Sequence, residues 1–400
     1  MQNEKINRIN KLLRHSTHIM STKLETWLSL AKSFLEQPTA ALMEVLPVKF
    51  IREFAAARPN LKLTQDAAGN LRVDYVSGAS RPPLALVAHM DHPAFHVEKV
   101  DGATAALKFQ GWVSTPHAQP GSRVHFFELG NPQPIGEGEL VDKTEDGGHL
   151  DTATFKITSG KASPSGFAMW AFPAFSIENG LIVTRSCDDS LGCAAALCVL
   201  DEISKLAPPN VSVTGLFTRA EEIGFLGALE AIRLNTLPKN ACVLSLETSK
   251  AFTNAPQGGG AIVRVGDLAS IFDTGLTAAL TAAAKKRAKH DPTFKFQRKL
   301  MDGGTCEATP FCAHGYRASG MAVPLGNYHN QGFDAQGKPC IGPETVNVED
   351  FRCEIELLIE LSLHPELLDK EHERIPERIQ ELEKKATELL IQNERFKMKN

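Results

Sequence analysis

The sequence contains no CxxC pair. Its eight cysteines (Cys187, Cys193, Cys198, Cys242, Cys306, Cys312, Cys340 and Cys353) are scattered, several of them inside apolar runs. That pattern excludes a thiolate zinc site or a disulfide framework and reads as reduced, buried thiols. Neither sign of charge dominates: 43 Lys and Arg stand against 47 Asp and Glu, for a net charge of −4. This leaves no electrostatic case for nucleic acid or an anionic membrane as partner. No uninterrupted apolar run approaches transmembrane length, and the opening MQNEKINRINK has no signal-peptide core. No membrane partner and a cytoplasmic location are therefore expected. What remains is an ordinary globular composition, 42% apolar and 22% charged over 400 residues, enough for one large domain with an insertion or for two domains.

The stretch that organises the chain is SCDDSLGCAAALCVL, Ser186 to Leu200. It sets Asp188 and Asp189 at the junction between a short apolar strand, Leu181 to Val183, and an Ala- and Leu-rich helix. An acid there can simply cap the helix. Four other strand ends compete with that plain reading. The hydrophobic strand LALVAHMD runs into His89 and Asp91, a spacing that suits a metal-bound imidazole held by a carboxylate. The strand Val211 to Phe217 ends at Thr218-Arg-Ala-Glu221-Glu222, where one glutamate can ligate a metal while its neighbour handles a proton. The strand Ala241 to Leu246 ends in Glu247. Finally, a strand from Ala318 to Val323 is expected to stop at Pro324 and to deliver His329 on a loop. Chemistry in open α/β sheets gathers at such carboxyl ends.

The rest of the chain frames these corners. An amphipathic helix is expected over residues 1 to about 20, and two helical patterns flank Pro38-Thr39. Residues 93–180 change to Gly- and Pro-punctuated alternating runs, a small all-β unit inserted into an α/β domain. The tail beyond residue 363 is strongly helical. Its Ile375, Ile379, Leu382, Ala386 and Leu389 repeat at alternating four and three spacing, the seam of a short coiled coil. This helix is expected to pack on the body or on a partner subunit, the body being slightly favoured.

Together the corners offer His89, Asp188, Glu222, Glu247 and His329 as nitrogen and oxygen ligands, with Glu221 and Asp91 beside them. Five ligands can hold two divalent ions if one carboxylate bridges, and a set without cysteine suits catalytic zinc, cobalt or manganese.

With AHMDHPAFHV, SCDDSLGCA, TRAEEIGFLGA, LSLE, GGT and VPLGNYHN in that order, the chain from about Leu30 to Leu363 resembles the di-metal aminopeptidases of the tetrahedral and glutamyl aminopeptidase type. The resemblance implies a mixed-sheet α/β/α zinc-exopeptidase (phosphorylase/hydrolase-like) catalytic domain with an inserted small β-barrel-like domain and a C-terminal helical extension. The parts would be residues 1–92 and 181–363 for the catalytic domain, 93–180 for the insertion and 364–400 for the extension. It further implies His89 and Glu247 on one metal, Glu222 and His329 on the other, Asp188 as bridge, Glu221 as general base and Asp91 as the partner orienting His89. An unusual peptide bond after Asp188, cis or otherwise strained, is also implied. The expected partners are a peptide substrate and further copies of the chain in a homo-oligomer.

The chain departs from the family at Glu247, where many relatives have Asp, at Cys306-Glu307 after the GGT, and at His92-Pro93. The expected activity is removal of N-terminal residues from peptides. Two alternatives stay open: an amidohydrolase or dipeptidase of the same superfamily acting on N-acyl amino acids, and a non-catalytic scaffold.

Overall fold

Strand Leu84–His89 consists of six consecutive buried residues, the mark of a strand covered on both faces. The computed structural model describes residues 22–78, 81–369 and 377–397; the helix expected over residues 1 to about 20 and the seam position Ile375 lie outside them. Leu84–His89 is flanked in parallel by Val211–Thr218 and Cys242–Lys250, and Arg317–Gly326 runs parallel to the latter. The carboxyl ends of these strands therefore open along one edge. Antiparallel strands complete an 11-stranded mixed sheet. Lys62–Gln65 and Leu71–Ser77 close one side, while Glu344–Asn347, Leu181–Thr184 and Ser176–Glu178 close the other. Ala261–Gly266 and Phe296–Leu300 branch from Arg317–Gly326.

Helices cover both faces. On one, helix Ser190–Leu206 is buried from Ser190 to Ile203 because its Ala- and Cys-rich sequence lets the sheet and helix Val348–Leu363 approach closely. The helix 22–35 and Thr274–His290 pack into the same core. On the other face, Leu226–Arg233 and Ala308–Ala313 pack over Ala85, Val87, Leu216 and Val243. The result is an α/β/α sandwich. Among the described residues no helix is long and apolar enough to cross a membrane.

Between Leu84–His89 and Leu181–Thr184 the chain forms a closed barrel, in the order Ala94–Asp101, Thr104–Gln110, His149–Gly160, Gly136–Asp146, Arg123–Phe127 and Phe167–Trp170. Its core is a knot of edge-to-face rings, with Phe95 at 4.8, 5.1 and 4.9 Å from Phe109, Phe155 and Trp170. The barrel ends at Trp170, and Ser176–Glu178 already pairs with the large sheet.

Three sequence expectations need correction. The strand expected to stop before Pro324 continues to Gly326. Its antiparallel partners pair Gly320 to Ala322 on one side of the proline and Leu325 to Gly326 on the other. In the gap between them the Gln257 side chain bonds the Pro324 carbonyl, so the missing N–H is not needed by the ladder. The strand expected to end in Glu247 runs on to Lys250, because Thr248 to Lys250 stay in register with Val323 to Leu325. The packing on the body favoured for the tail helix is not found at the described seam residues of Glu377–Lys397: Ile379, Leu382 and Leu389 are exposed.

Candidate active site

The two adjacent aspartates divide the two roles read for them. Asp189 is the N-cap of Ser190–Leu206, its Oδ1 accepting the Gly192 N–H at 3.2 Å. Gly192 leaves room for this, since a Cβ there would lie 2.3 Å from that oxygen. Asp188 faces the other way. Its Oδ1 lies 3.6 Å from His89 Nε2 and its Oδ2 lies 3.5 Å from His329 Nε2. The peptide joining the pair is cis, as the resemblance implies.

The strand ends converge on Asp188. His89, at the end of Leu84–His89, also has its Nε2 3.7 Å from Glu221 Oε2. His329 Nε2 is 3.3 Å from Glu222 Oε2, and His89, Asp188 and Glu222 bring one ligand atom each within 4.8 Å of one another. Glu247 lines the same cavity as His89, Asp188, Glu221 and His329, its Oε1 accepting the Ser245 hydroxyl at 3.0 Å. Asp91 has a broader task than orienting His89. Its two carboxylate oxygens accept the backbone N–H groups of Glu221 and Glu222 at 3.0 and 3.1 Å. His89 Nδ1 lies nearer the Asp91 carbonyl, at 3.2 Å, than its carboxylate, at 3.6 Å.

Several residues that sequence reasoning missed hold this arrangement. Glu344 is fully buried, and its Oε2 accepts the N–H groups of Cys187 and Asp188 at 2.6 and 3.0 Å while Oε1 accepts that of His329 at 2.8 Å. One carboxylate thus pins two ligand-bearing loops. Glu44 does the same for the third, accepting from Ala220 N–H and Arg219 Nε. The His329 ring donates from Nδ1 to the Trp112 carbonyl of the barrel at 2.7 Å, which leaves Nε2 free as a lone-pair donor. Nothing in GPETV or QGWVS marks these positions locally.

The departures from the family pattern also have structural places. The buried His92 ring contacts the Asp188 carbonyl at 2.5 Å and Asn330 Oδ1 at 3.1 Å, and burial lowers its pKa to about 4. Cys306 donates its N–H and thiol to Asp267 at 3.1 and 3.5 Å. Both carboxylate oxygens of buried Glu307 lack a hydrogen-bond partner.

The electrostatics show an excess of acid held out of water. Burial raises the pKa of Glu221 well above its ordinary value, with Glu247, Glu307 and Asp91 pushing the same way against His89. Glu222 and Glu247 are raised too, first by burial. Burial alone would lower His89, but Glu221, Asp188 and Asp91 outweigh it and hold its pKa well above normal. Burial would raise Asp188, yet the His329 and His89 imidazoles that face it bring it below the usual carboxylate range. Asp188 Oδ1 and Glu222 Oε1 are buried without a hydrogen-bond partner. Orphaned carboxylate oxygens, two imidazole nitrogens aimed at them and surplus negative charge fit divalent cations. The cavity continues past Ser249, Lys250, Phe252, Met301 and the Gly303-Gly304-Thr305 turn to Arg264. Arg264 is 3% exposed and its Nε has no partner.

Residues 161–333 match the model of the M42 glutamyl aminopeptidase family. No curated protein sequence matches significantly. Among solved structures, a TET aminopeptidase from a marine sediment archaeon of the Thaumarchaeota is 18% identical, with a TM-score of 0.69 over 86% of this chain and 99% of its own. An aminopeptidase from the archaeon Desulfurococcus kamchatkensis is 16% identical, with a TM-score of 0.71 over 88% of this chain and 99% of its own. The TET1 peptidase of Pyrococcus horikoshii, which can assemble into a tetrahedron or a large octahedral shell, is 19% identical, with a TM-score of 0.65 over 84% and 99%. At these identities the structures establish the shared fold. The match agrees with the resemblance read in the sequence: the chain is a hydrolase of the peptidase class, similar over residues 161–333 to the M42 glutamyl aminopeptidases.

Proposed function

We propose that the protein removes N-terminal residues from peptides with a water activated between two divalent ions, zinc by the donor set. The observation that carries this reading is Asp188, whose two carboxylate oxygens each face a different histidine, the placement a bridging ligand needs. In this reading His89 and Glu247 hold one ion, and Glu222 and His329 the other. Such ions would supply Lewis acidity and a lowered water pKa.

The remaining chemistry belongs to the chain. Asp91 fixes the backbone of Glu221 and Glu222 through their N–H groups, so the two side chains diverge from one rigid corner. Glu221 takes a proton from the attacking water and returns it to the leaving amine. Its carboxylate lines the same cavity as the proposed ligands, 3.7 Å from His89 Nε2, within reach of a water held there. Tyr328 stacks on the His329 ring at 3.7 Å and limits its rotation. Arg264, buried in the lining of the same cavity with its Nε unpartnered, would pair with an acidic side chain on the N-terminal residue, in keeping with the glutamyl specificity in the family's description. The assembly described for the Pyrococcus horikoshii protein supports a homo-oligomer here too.

The test is metal content and turnover measured together, for wild type and Glu221→Gln, on free and N-acylated short peptides. Wild type should bind about two ions and require a free α-amine. Glu221→Gln should keep its metal and lose roughly 10²–10⁴-fold in rate. A wild type that acts only on acylated substrates would make the protein a deacylase, and one without metal or turnover would leave a scaffold.

A further inference from the structure

The helix Glu377–Lys397 contributes nothing to the site, yet it is built around an apolar seam. Ile379, Leu382, Leu389 and Leu390 are 42, 47, 64 and 66% exposed. Its described side chains are all exposed; a helix in a protein gains most of its stability by packing an amphipathic face, yet this seam lacks a cover among the described residues. The spacing says what kind of cover fits. With Ile379 at a, the a and d positions of the heptad are Ile379, Leu382, Ala386, Leu389 and residue 393, an asparagine. A β-branched residue at a with leucine at d favours two parallel strands, and a single asparagine at a fixes register in such pairs.

We propose that residues 377–397 form a parallel two-stranded coiled coil with the same helix of a second copy of this chain. The seam is self-complementary, as a two-fold contact requires. The five acidic and five basic residues of the helix balance, so the pair carries no net charge to repel it. Leu390 at e widens the buried strip on the side next to Leu389. The contact joins two copies through a segment separate from the catalytic fold, and it stands or falls independently of the peptidase reading.

The experiment uses the full-length, metal-loaded protein. A chain carrying a photoreactive benzoylphenylalanine at Leu390 is co-expressed with an epitope-tagged copy and irradiated, and the joined peptides are sequenced. Cross-links between residues 377–397 of the two differently tagged chains are expected. Leu382→Lys with Leu389→Lys should abolish them by weakening the pairing at least ~100-fold. Leu382→Met with Leu389→Met should retain them, and turnover should stay within about twofold throughout. Cross-links confined to the body of a single chain would overturn the proposal, as would inter-chain links that survive the double lysine substitution.

Discussion

Replacing Glu344 by glutamine is the sharpest probe of how the ligand loops are held. The carboxylate accepts three backbone N–H groups, from Cys187, Asp188 and His329. Burial and the neighbouring Asp188 raise its pKa well above normal, while these same hydrogen bonds oppose the rise. Geometry decides the matter in favour of the ionised form, because three donors converge and a carboxylic acid would add a fourth. A glutamine can keep its oxygen on the Cys187 and Asp188 pair, but its NH₂ group then faces the His329 N–H. One charge-assisted hydrogen bond is lost and two donors are set against each other, a cost of about 2–4 kcal/mol. The His329 loop would yield first, since it is held by the fewer bonds. Metal affinity and kcat should fall together by roughly 10–100-fold, the usual effect of losing a residue that orients a ligand. Metal titration, steady-state kinetics on a good peptide substrate and thermal unfolding would be measured on the same preparation. A Glu344→Gln protein within twofold of wild type in both metal affinity and kcat would refute the reasoning, because it would mean the group is already neutral in the native state.

Further outcomes follow from the same cluster. Arg264→Met should lower kcat/KM for peptides beginning with glutamate by at least ~10-fold relative to those beginning with leucine; an unchanged ratio would remove Arg264 from substrate recognition. Burial pushes the Glu307 carboxyl up to about 8, so the folded protein holds that proton more tightly than the unfolded chain. Stability linked to this group is therefore complete below about pH 4.5 and is lost as pH rises through about 8. In metal-free protein, Glu307→Gln should lack a component of order 3–5 kcal/mol of that decline, read from denaturant midpoints at pH 5 and pH 8.5; parallel profiles would count against it. Chelation should lower the melting temperature by roughly 5–10 °C, since ions at a thousandfold above their Kd contribute about 4 kcal/mol and the buried acids are left facing one another. A melting temperature unmoved by chelation would argue against tight binding in the native state.

The sequence displayed the ligand corners because each is local: an apolar run stops and a His, Asp or Glu pair follows at once, as at His89, Asp188 and Glu221. The sheet strands that carry them were legible for the same reason. What stayed hidden depends on distance along the chain. Glu344 sits in GPETV, which looks like any turn before a strand, and its value comes only from folding back on Cys187, Asp188 and His329. Arg264 reads as one more charge in a strand until the cavity wall forms around it. Pro324 misled because proline ends most strands, and only the gap between two antiparallel neighbours shows why this one does not. Strand Phe296–Leu300, with a mixed and half-exposed pattern, gave no period to follow.

The hydrogen bond from His329 to the Trp112 carbonyl has a consequence for engineering. A main-chain oxygen cannot be mutated away, so point substitution can spare this anchor while a change of backbone path cannot. Exchanging the barrel for that of a relative would preserve every side-chain ligand and still release one imidazole if residue 112 were displaced by more than a fraction of an ångström. Chimeras in this fold should therefore be cut outside the segment from Gly111, whose close approach to Pro93 leaves no room for a Cβ, through Ser114, whose N–H is bonded to Gln331 beside His329. The barrel is in this sense a part of the proposed metal site that happens to be made of backbone.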